Sequence, residues 1–586
     1  MPYYMISDFQ AGLDVRKSPL TAPAGSLRKC INAHITRGGE VEKRKAFVEL
    51  GDFDPGTFGL HTVEEQLFTF GGEADMARPP GVNYQHLSAP NNQSLRRILS
   101  TTNFEGSVYA IAEFEDGNVL HFYDGAPVDD WVDLADELGS LEAVARTLTQ
   151  QIELLTEARA EVDGEEVLVS APFPGGTVDI EALENTTVLG TEQEADMDRP
   201  EIIRLGLDGE YLPDVTYRVS VYGADIPVLG RAAGYGRLAV TFDSRIFSPA
   251  QSLLRFSGYP GVDPSAEDFD IQEAVAGPDP TIWQPLDADD NRTYAGAINM
   301  STQDGGSEQL TAVGVYQDSL AVFSNQTTHI WDVKSVNPLN MGQIQILPNL
   351  GTSSPRSVQS FGEADVFFLS QSGVRSLRAR DSSNFASVAD VGTPIDDDIR
   401  DFLDSRQEQA RRDAVSAIEP RDGRYCLAVD NRIYILSRFP GSRITAWSVY
   451  ELPDTITDMA TTAKRLYVRA GNKLYLYGGN TGSEYDDTAV DVVTPFSGAE
   501  DPARMKQVTS IDVACEGAWD VYIRPDPSMP QYEELLAEIE GTTLGLQPTM
   551  AAMAQTSHVA FRVVSRGEGY HRLGAIMFHY QRFEAS

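Results

Sequence analysis

The chain has 586 residues, 41% of them hydrophobic and 9% aromatic, which excludes intrinsic disorder and suffices for about two to four domains or one large repeat architecture. Its 46 Lys+Arg against 87 Asp+Glu give a net charge of −41 and a pI near 4.4, a balance that repels nucleic acid and anionic membranes. No run approaches ~18 consecutive apolar residues, so no transmembrane helix is expected.

The first stretch, Asp8 to Gly51, reads as an extended arm followed by a hairpin. Gly12, Pro19, Pro23 and Gly25 break the arm. Ile31 to Thr36 alternates like a strand, Gly38-Gly39 supplies positive φ, and Glu40 to Val48 runs back. Basic residues gather here: Arg28, Lys29, Arg37, Lys43, Arg44 and Lys45. Ahead of it, MPYYMISDFQ lacks the basic and apolar regions of a secretory leader.

A unit of strand, tight turn and strand then recurs. Copies are Glu64–Gly72, Val108–Gly125, Ser319–Val333, Ala364–Ala379, Arg424–Arg438 and Lys464–Gly479. Turns fall at Asp116-Gly117, Ser372-Gly373, Asp430-Asn431 and Gly471-Asn472, residue types that two-residue hairpin loops demand. In the second half the spacing is irregular, roughly 40 to 70 residues, as in propeller blades carrying insertions. The expected fold class is all-β: a β-propeller-like body with an inserted α/β subdomain and a C-terminal β-domain.

The rhythm breaks at Asp129. Leu141, Val144, Ala145, Leu148, Ile152, Leu155 and Ala158 share one helical face, with Ser140 as N-cap, and a strand follows over Glu165–Pro172. This predicts the α/β insertion. A second helix is expected from Pro394 to about Arg412, its aspartates early and its arginines late, and a short third one over Tyr532–Glu540. The boundaries are 1–60 for arm and hairpin, 61–128 for the first part of the propeller and 129–200 for the insertion. The rest of the propeller takes 201–485 and the C-terminal β-domain 486–586.

No site chemistry is legible. Cys30, Cys426 and Cys515 are isolated, which argues against a disulfide framework and for synthesis in a reducing cytoplasm. The eight histidines show no zinc spacing. GYGRLA (Gly234–Ala239) lacks the strand–helix context of a dinucleotide fingerprint. The runs Asp268/Asp270, Asp287/Asp289/Asp290 and Asp396/Asp397/Asp398 lack calcium-loop spacing and read as solvated loops and a helix start. No catalytic residue, cofactor or metal is expected, and Trp331 and Trp447 are expected in the core.

The aliphatic arm, "SPL", a Gly-Ser pair, "INAHIT", "GG" and "EKRKAF" together resemble the N-terminal signature of the tail nozzle (tail tubular protein B-like, or hub) proteins of short-tailed bacteriophages. RIFSPAQSLLRFSGYPG, SLAVFSNQTTHIWDV, SVQSFGEADVFFLSQSGVRSL, RITAWSVYE and RLGAIMFHY are similar to further landmarks of that family, in the same order. The resemblance implies a non-enzymatic virion protein, made in the host cytoplasm. It implies a homo-oligomer, a hexamer, ringed beneath the portal and head–tail adaptor and contacting tail fibre or other tail proteins. Genomic DNA would be retained in its channel and pass at ejection without specific binding. Arg28, Lys29, Arg37, Lys43, Arg44 and Lys45 are then candidates for contact with the adaptor or a neighbouring subunit. A hairpin packed on its own domain accounts for them equally. The acidity fits a wall that DNA passes without sticking, and it also fits a saline medium. A propeller-type glycan-degrading or glycan-binding tail protein, acting on host-surface polysaccharide, is the alternative reading.

Overall fold

A computed structural model describes residues 2–128 and 236–582, with breaks at 24, 89–92, 116, 118, 251, 260–277, 284–292, 301–308, 336–340, 363–364, 381–384, 500 and 544–548, and it describes seven strands between 159 and 228. The fold is all-β and divides into two compact units. One holds 1–54, 77–81 and 356–586; the other holds 55–76 and 82–355.

In the first unit the N-terminal arm is built into the body. Tyr3–Ser7 pairs antiparallel with the last strand, Arg572–Arg582. That strand belongs to a six-stranded sheet with Lys506–Glu516, Met550–Thr556, Val41–Lys43 and Ala33–Ile35. An eleven-stranded sheet begins with the meander Val415–Glu419, Arg424–Val429, Arg432–Phe439 and Ile444–Glu451. It continues through Lys29–Ile31 to Asp491–Val493, Ala560–Arg566, Ala518–Arg524 and Glu534–Ile539. Alternation places one face of each sheet in a shared core: Val508, Ile511, Ile576 and Phe578 from the six-stranded sheet, and Cys30, Trp447, Val492, Trp519 and Val563 from the eleven-stranded one. The expected separation of an arm (1–60) from a C-terminal domain (486–586) does not describe this body, because Lys29–Ile31 is the strand that joins the two halves of the larger sheet.

Two four-stranded meanders complete the unit. One is Gln359–Phe361, Asp365–Ser370, Gly373–Arg380 and Phe385–Ala389; the other is Ile456–Thr461, Leu466–Ala470 and Lys473–Tyr477, with Phe47–Asp52 from the start of the chain as its fourth strand. Its core side chains Val468, Ala470 and Tyr475 pack with Ile433, Ile435 and Cys426 of the adjoining meander.

The second unit contains three further four-stranded meanders: Leu95–Pro127, Val240–Asn299 and Leu310–Pro348. Thr57–Val63, Gln66–Gly71 and Val82–His86 form a three-stranded sheet whose last pair is parallel. Such meanders are the sheets from which a propeller-like body is built. Five of the six recurring units are the central hairpins of these meanders; in the first, Glu64–Gly72, the turn precedes a single strand. Within the expected insertion, the helical face at 141–158 lies outside the described residues. The described part is a seven-stranded antiparallel sheet that includes Glu166–Ser170, Ile202–Leu207, Tyr217–Val221 and Ala224–Val228. It therefore runs through the expected boundary at 200.

The helix from Pro394 is a single 3-10 turn, then Asp396–Asp404, then a separate Glu408–Arg412. Asp396, Asp397 and Asp398 occupy the first turn, where the helix dipole favours acids. The expected helix at Tyr532–Glu540 is instead a strand, Glu534–Ile539, because pairing with Ala518–Arg524 overrides local propensity. Trp447 and Trp331 are both buried, as expected. The other two acidic runs fall outside the described residues, and so do the first two positions of GYGRLA, 234 and 235.

Candidate functional site

The basic cluster was expected on a simple hairpin. In the structure, its first strand is cut in two at Asn32. Asn32 adopts φ +57°, the left-handed region that asparagine tolerates better than most residues. The kink sends Lys29–Ile31 into the eleven-stranded sheet and Ala33–Ile35 into the six-stranded one. The side chain of Asn32 fixes the crossing. Its Oδ1 accepts from the backbone N–H of Glu451 at 3.0 Å and from Arg44 Nε at 3.2 Å, while its Nδ2 donates to the Ala489 carbonyl at 3.2 Å.

The cations meet different fates. Lys43 is fully buried, and its Nζ donates to the carbonyls of Asp486 (2.6 Å) and Gly567 (3.0 Å). Burial lowers its pKa. Arg44, 4% exposed, donates to Asp486 Oδ2 at 2.9 Å and Thr488 Oγ1 at 2.9 Å. The Lys45 backbone N–H donates to the Tyr477 hydroxyl, and its ammonium lies 6.0 Å from that ring. Arg28 donates to the carbonyls of Asp14 (2.8 Å) and Lys17 (2.7 Å), tying down the arm.

Lys29 is exposed and pairs with Asp491 Oδ2 at 2.6 Å. Arg562 grips the same carboxylate at 2.8 and 2.9 Å and reaches Glu533 at 2.6 Å; Glu533 in turn accepts from Arg524. Burial pulls the pKa of Asp491 up, yet the bonds from Arg562 and Lys29 hold it below its ordinary value. Arg37 is exposed at the hairpin tip, with its guanidinium 5.1 Å from the Phe439 ring centroid. Of the six candidates, then, Lys29 and Arg37 present exposed side chains, and Lys43 and Arg44 are committed inside the chain.

Beneath the hairpin lies a buried polar cluster. His34 Nδ1 sits 2.8 Å from the Tyr450 hydroxyl, and its Nε2 lies 3.8 Å from Glu42. The rings of Tyr450 and Tyr477 stack at 6.1 Å. Burial, reinforced by Arg424 and Lys45, pushes the pKa of His34 well down, and burial raises that of Glu42. A neutral histidine only 2% exposed offers hydrogen bonding and packing. Burial also raises the thiols of Cys30 and Cys426 to about 12, which keeps them protonated and inert. Among the described residues, no group of three or more His, Cys, Asp or Glu is arranged to hold a metal ion, and no helix is long and apolar enough to cross a membrane.

Sequence reasoning missed the partners Asp486, Asp491, Gly567 and Arg562, which are more than 440 residues away along the chain. Asn32, a left-handed-tolerant residue inside an alternating run, was the one local sign of the break.

No protein-family model matches the chain, and no curated protein matches it. Among solved structures it is similar to Raptor from Chaetomium thermophilum, with 9% identity and a TM-score of 0.28, covering 65% of this chain and 28% of Raptor. It is also similar to an exo-beta-1,3-galactanase from Phanerochaete chrysosporium, with 10% identity and a TM-score of 0.21, covering 72% of this chain and 95% of that one. At these scores neither likeness bears on function.

Proposed function

We propose that the chain is the structural subunit of a phage tail nozzle. In this reading copies, six by resemblance, close into a ring beneath the portal–adaptor and contact other tail proteins. The ring extends the DNA channel, retains the genome and lets it pass at ejection. It works by shape and electrostatics, without catalysis, and it resides in the virion tail.

The observation that carries the reading is the fate of the basic cluster. Lys43 and Arg44 spend their charge on carbonyls and a carboxylate inside the chain, in a protein whose net charge is −41. What remains to face outward is predominantly acidic, which suits a wall that duplex DNA slides past. The landmark segments of the resemblance support it too. Arg245–Phe256, Ser319–Asp332, Ile444–Glu451 and Arg572–Tyr580 are scaffold strands, as befits a protein whose product is its own shape. Lys29 and Arg37 are the exposed members of the candidate contact set.

Electron microscopy of the purified full-length protein, across a range of concentrations, tests this. A closed ring with an axial channel is expected. Particles that stay monomeric or lack a channel at every concentration, and also fail to add to purified portal–adaptor complexes, would overturn it.

A further inference from the structure

The turn Gly567–His571 carries the chain from Ala560–Arg566 in the eleven-stranded sheet to Arg572–Arg582 in the six-stranded sheet. Two basic side chains hold two of its carbonyls and that of Arg566 just before it. His571 Nδ1 lies 2.9 Å from the Gly569 carbonyl oxygen, and His571 Nε2 lies 2.9 Å from that of Arg566. Lys43 Nζ takes the third, on Gly567. The imidazole is 2% exposed. The Trp519 ring stands edge-on at 5.6 Å, and a Cβ at Gly517, where φ is +85°, would come within 2.5 Å of the His571 Cδ2. The ring is therefore fixed in place.

A carbonyl oxygen only accepts, so each ring nitrogen of His571 has to donate, and a neutral imidazole has a single N–H. His121 shows the contrast. Its Nε2 faces the Gly236 carbonyl at 2.9 Å, but its Nδ1 faces the Tyr109 hydroxyl at 2.7 Å, which can donate. One neutral tautomer satisfies His121; none satisfies His571.

We propose that His571 is an imidazolium in the folded chain, and that its charge locks the corner between the two sheets and the N-terminal hairpin that docks there. The hairpin is included because the backbone N–H of Lys43 donates to the His571 carbonyl at 2.9 Å. The surrounding charges are Lys43 on its strand, faced by Asp486, Asp487 and Glu568. Arg566 is paired with Asp520 and Glu540, and Arg572 with Glu40 and Glu516. Burial is the largest influence on the His571 pKa and lowers it; the Gly569 carbonyl raises it, Lys43 lowers it, and the Arg566 carbonyl raises it, for a net lowering. Against that net stands a penalty particular to this geometry. Deprotonation sets a nitrogen lone pair 2.9 Å from a carbonyl oxygen in a site walled by Gly517 and Trp519, and a protonated His571 requires this penalty to outweigh the cost of the buried charge.

The sign is testable. A histidine protonated in the fold contributes stability that is complete below the unfolded value near ~6.5 and is lost as pH rises through the folded value. The melting advantage of the wild type over His571→Gln, which can donate only through its amide, should shrink from pH 5.5 to pH 8.5. An advantage that grows with pH would overturn the proposal. Long-range ¹⁵N–¹H spectra of the full-length protein with ¹⁵N-histidine give a second measurement that needs no His571 variant. It uses His579→Gln, which removes the ring paired with Asp512. One remaining ring should keep both nitrogens protonated above pH 8. If every ring is neutral at pH 7, including a His571 turned over so that Cδ2 faces Gly569, the lock does not exist.

Discussion

Tyr4 and Phe578 face each other across the first and last strands of the chain, with ring centroids 5.6 Å apart. Two residues that follow Tyr4 are core: Ile6 is 3% exposed and Phe9 fully buried. Deleting residues 1–25 should therefore markedly lower the melting temperature of the isolated protein. Phe9→Ala alone should cost about 3–5 kcal/mol, as large-to-small changes at fully buried aromatics do. Chemical denaturation checks both. A truncated protein that melts with the wild type would mean that the arm is ordered only by a partner.

Asn32 supplies two separable contributions, a left-handed backbone and three side-chain hydrogen bonds. Asn32→Ala should lose both, about 2–4 kcal/mol. Asn32→Gly should recover roughly 1 kcal/mol of that, since glycine bears no penalty at positive φ. Equal losses in the two variants would show that the backbone contributes nothing. Urea titrations of both proteins give the comparison.

His121 sets a pH dependence opposite to that inferred for His571. Burial lowers its pKa to about 4. The unfolded chain takes up this proton near ~6.5, while the fold refuses it until about 4, so the stability it contributes is present above the unfolded value and is lost as pH falls through this window. The slope for this one group is on the order of 1 kcal/mol per pH unit. Unfolding free energies measured between pH 7.5 and pH 4.5 should decline less steeply in His121→Gln than in the wild type. Parallel curves would remove His121 from the account.

With Lys43 and Arg44 committed internally and a net charge of −41 against only Lys29 and Arg37 exposed on the hairpin, the protein should show no measurable affinity for duplex DNA, even at low salt. Repulsion acts only within a Debye length of roughly 8 Å at physiological salt, so retention in a channel would fall to narrow loops and not to basic contacts. Fluorescence anisotropy with a labelled duplex measures this. Micromolar binding that collapses steeply with salt would reveal a cationic face and end the slippery-wall account.

The meanders were legible because turn chemistry is local. Asp430-Asn431 and Gly471-Asn472 are the two-residue loops of their hairpins, with Asp430 at φ +53° and Gly471 at φ +57°. At Ser372-Gly373 the loop is displaced by one residue, to Gln371-Ser372, since Ser370 pairs with Gly373. What was not legible depends on distant pairing. Alternation over Ile31–Thr36 is the same whether one sheet or two receive it, so the switch at Asn32 stayed hidden. Lys43 and Arg44 look like surface cations until Asp486 and Gly567 arrive from the other end of the chain. The Glu534–Ile539 strand carries helix-tolerant residues and is a strand only because Ala518–Arg524 lies beside it.

The meander ending at Tyr477 takes its fourth strand from Phe47–Asp52, and that sets a clock on biosynthesis. The N-terminal strand leaves the ribosome more than 400 residues before its partner Lys473–Tyr477 exists. At roughly 5–20 residues per second, it waits on the order of 20–90 s with its edge unpaired. Over that interval the nascent chain carries a β-strand open to any neighbouring polypeptide, and neighbouring ribosomes on one message hold identical copies of it. Slower elongation lengthens this exposure in proportion.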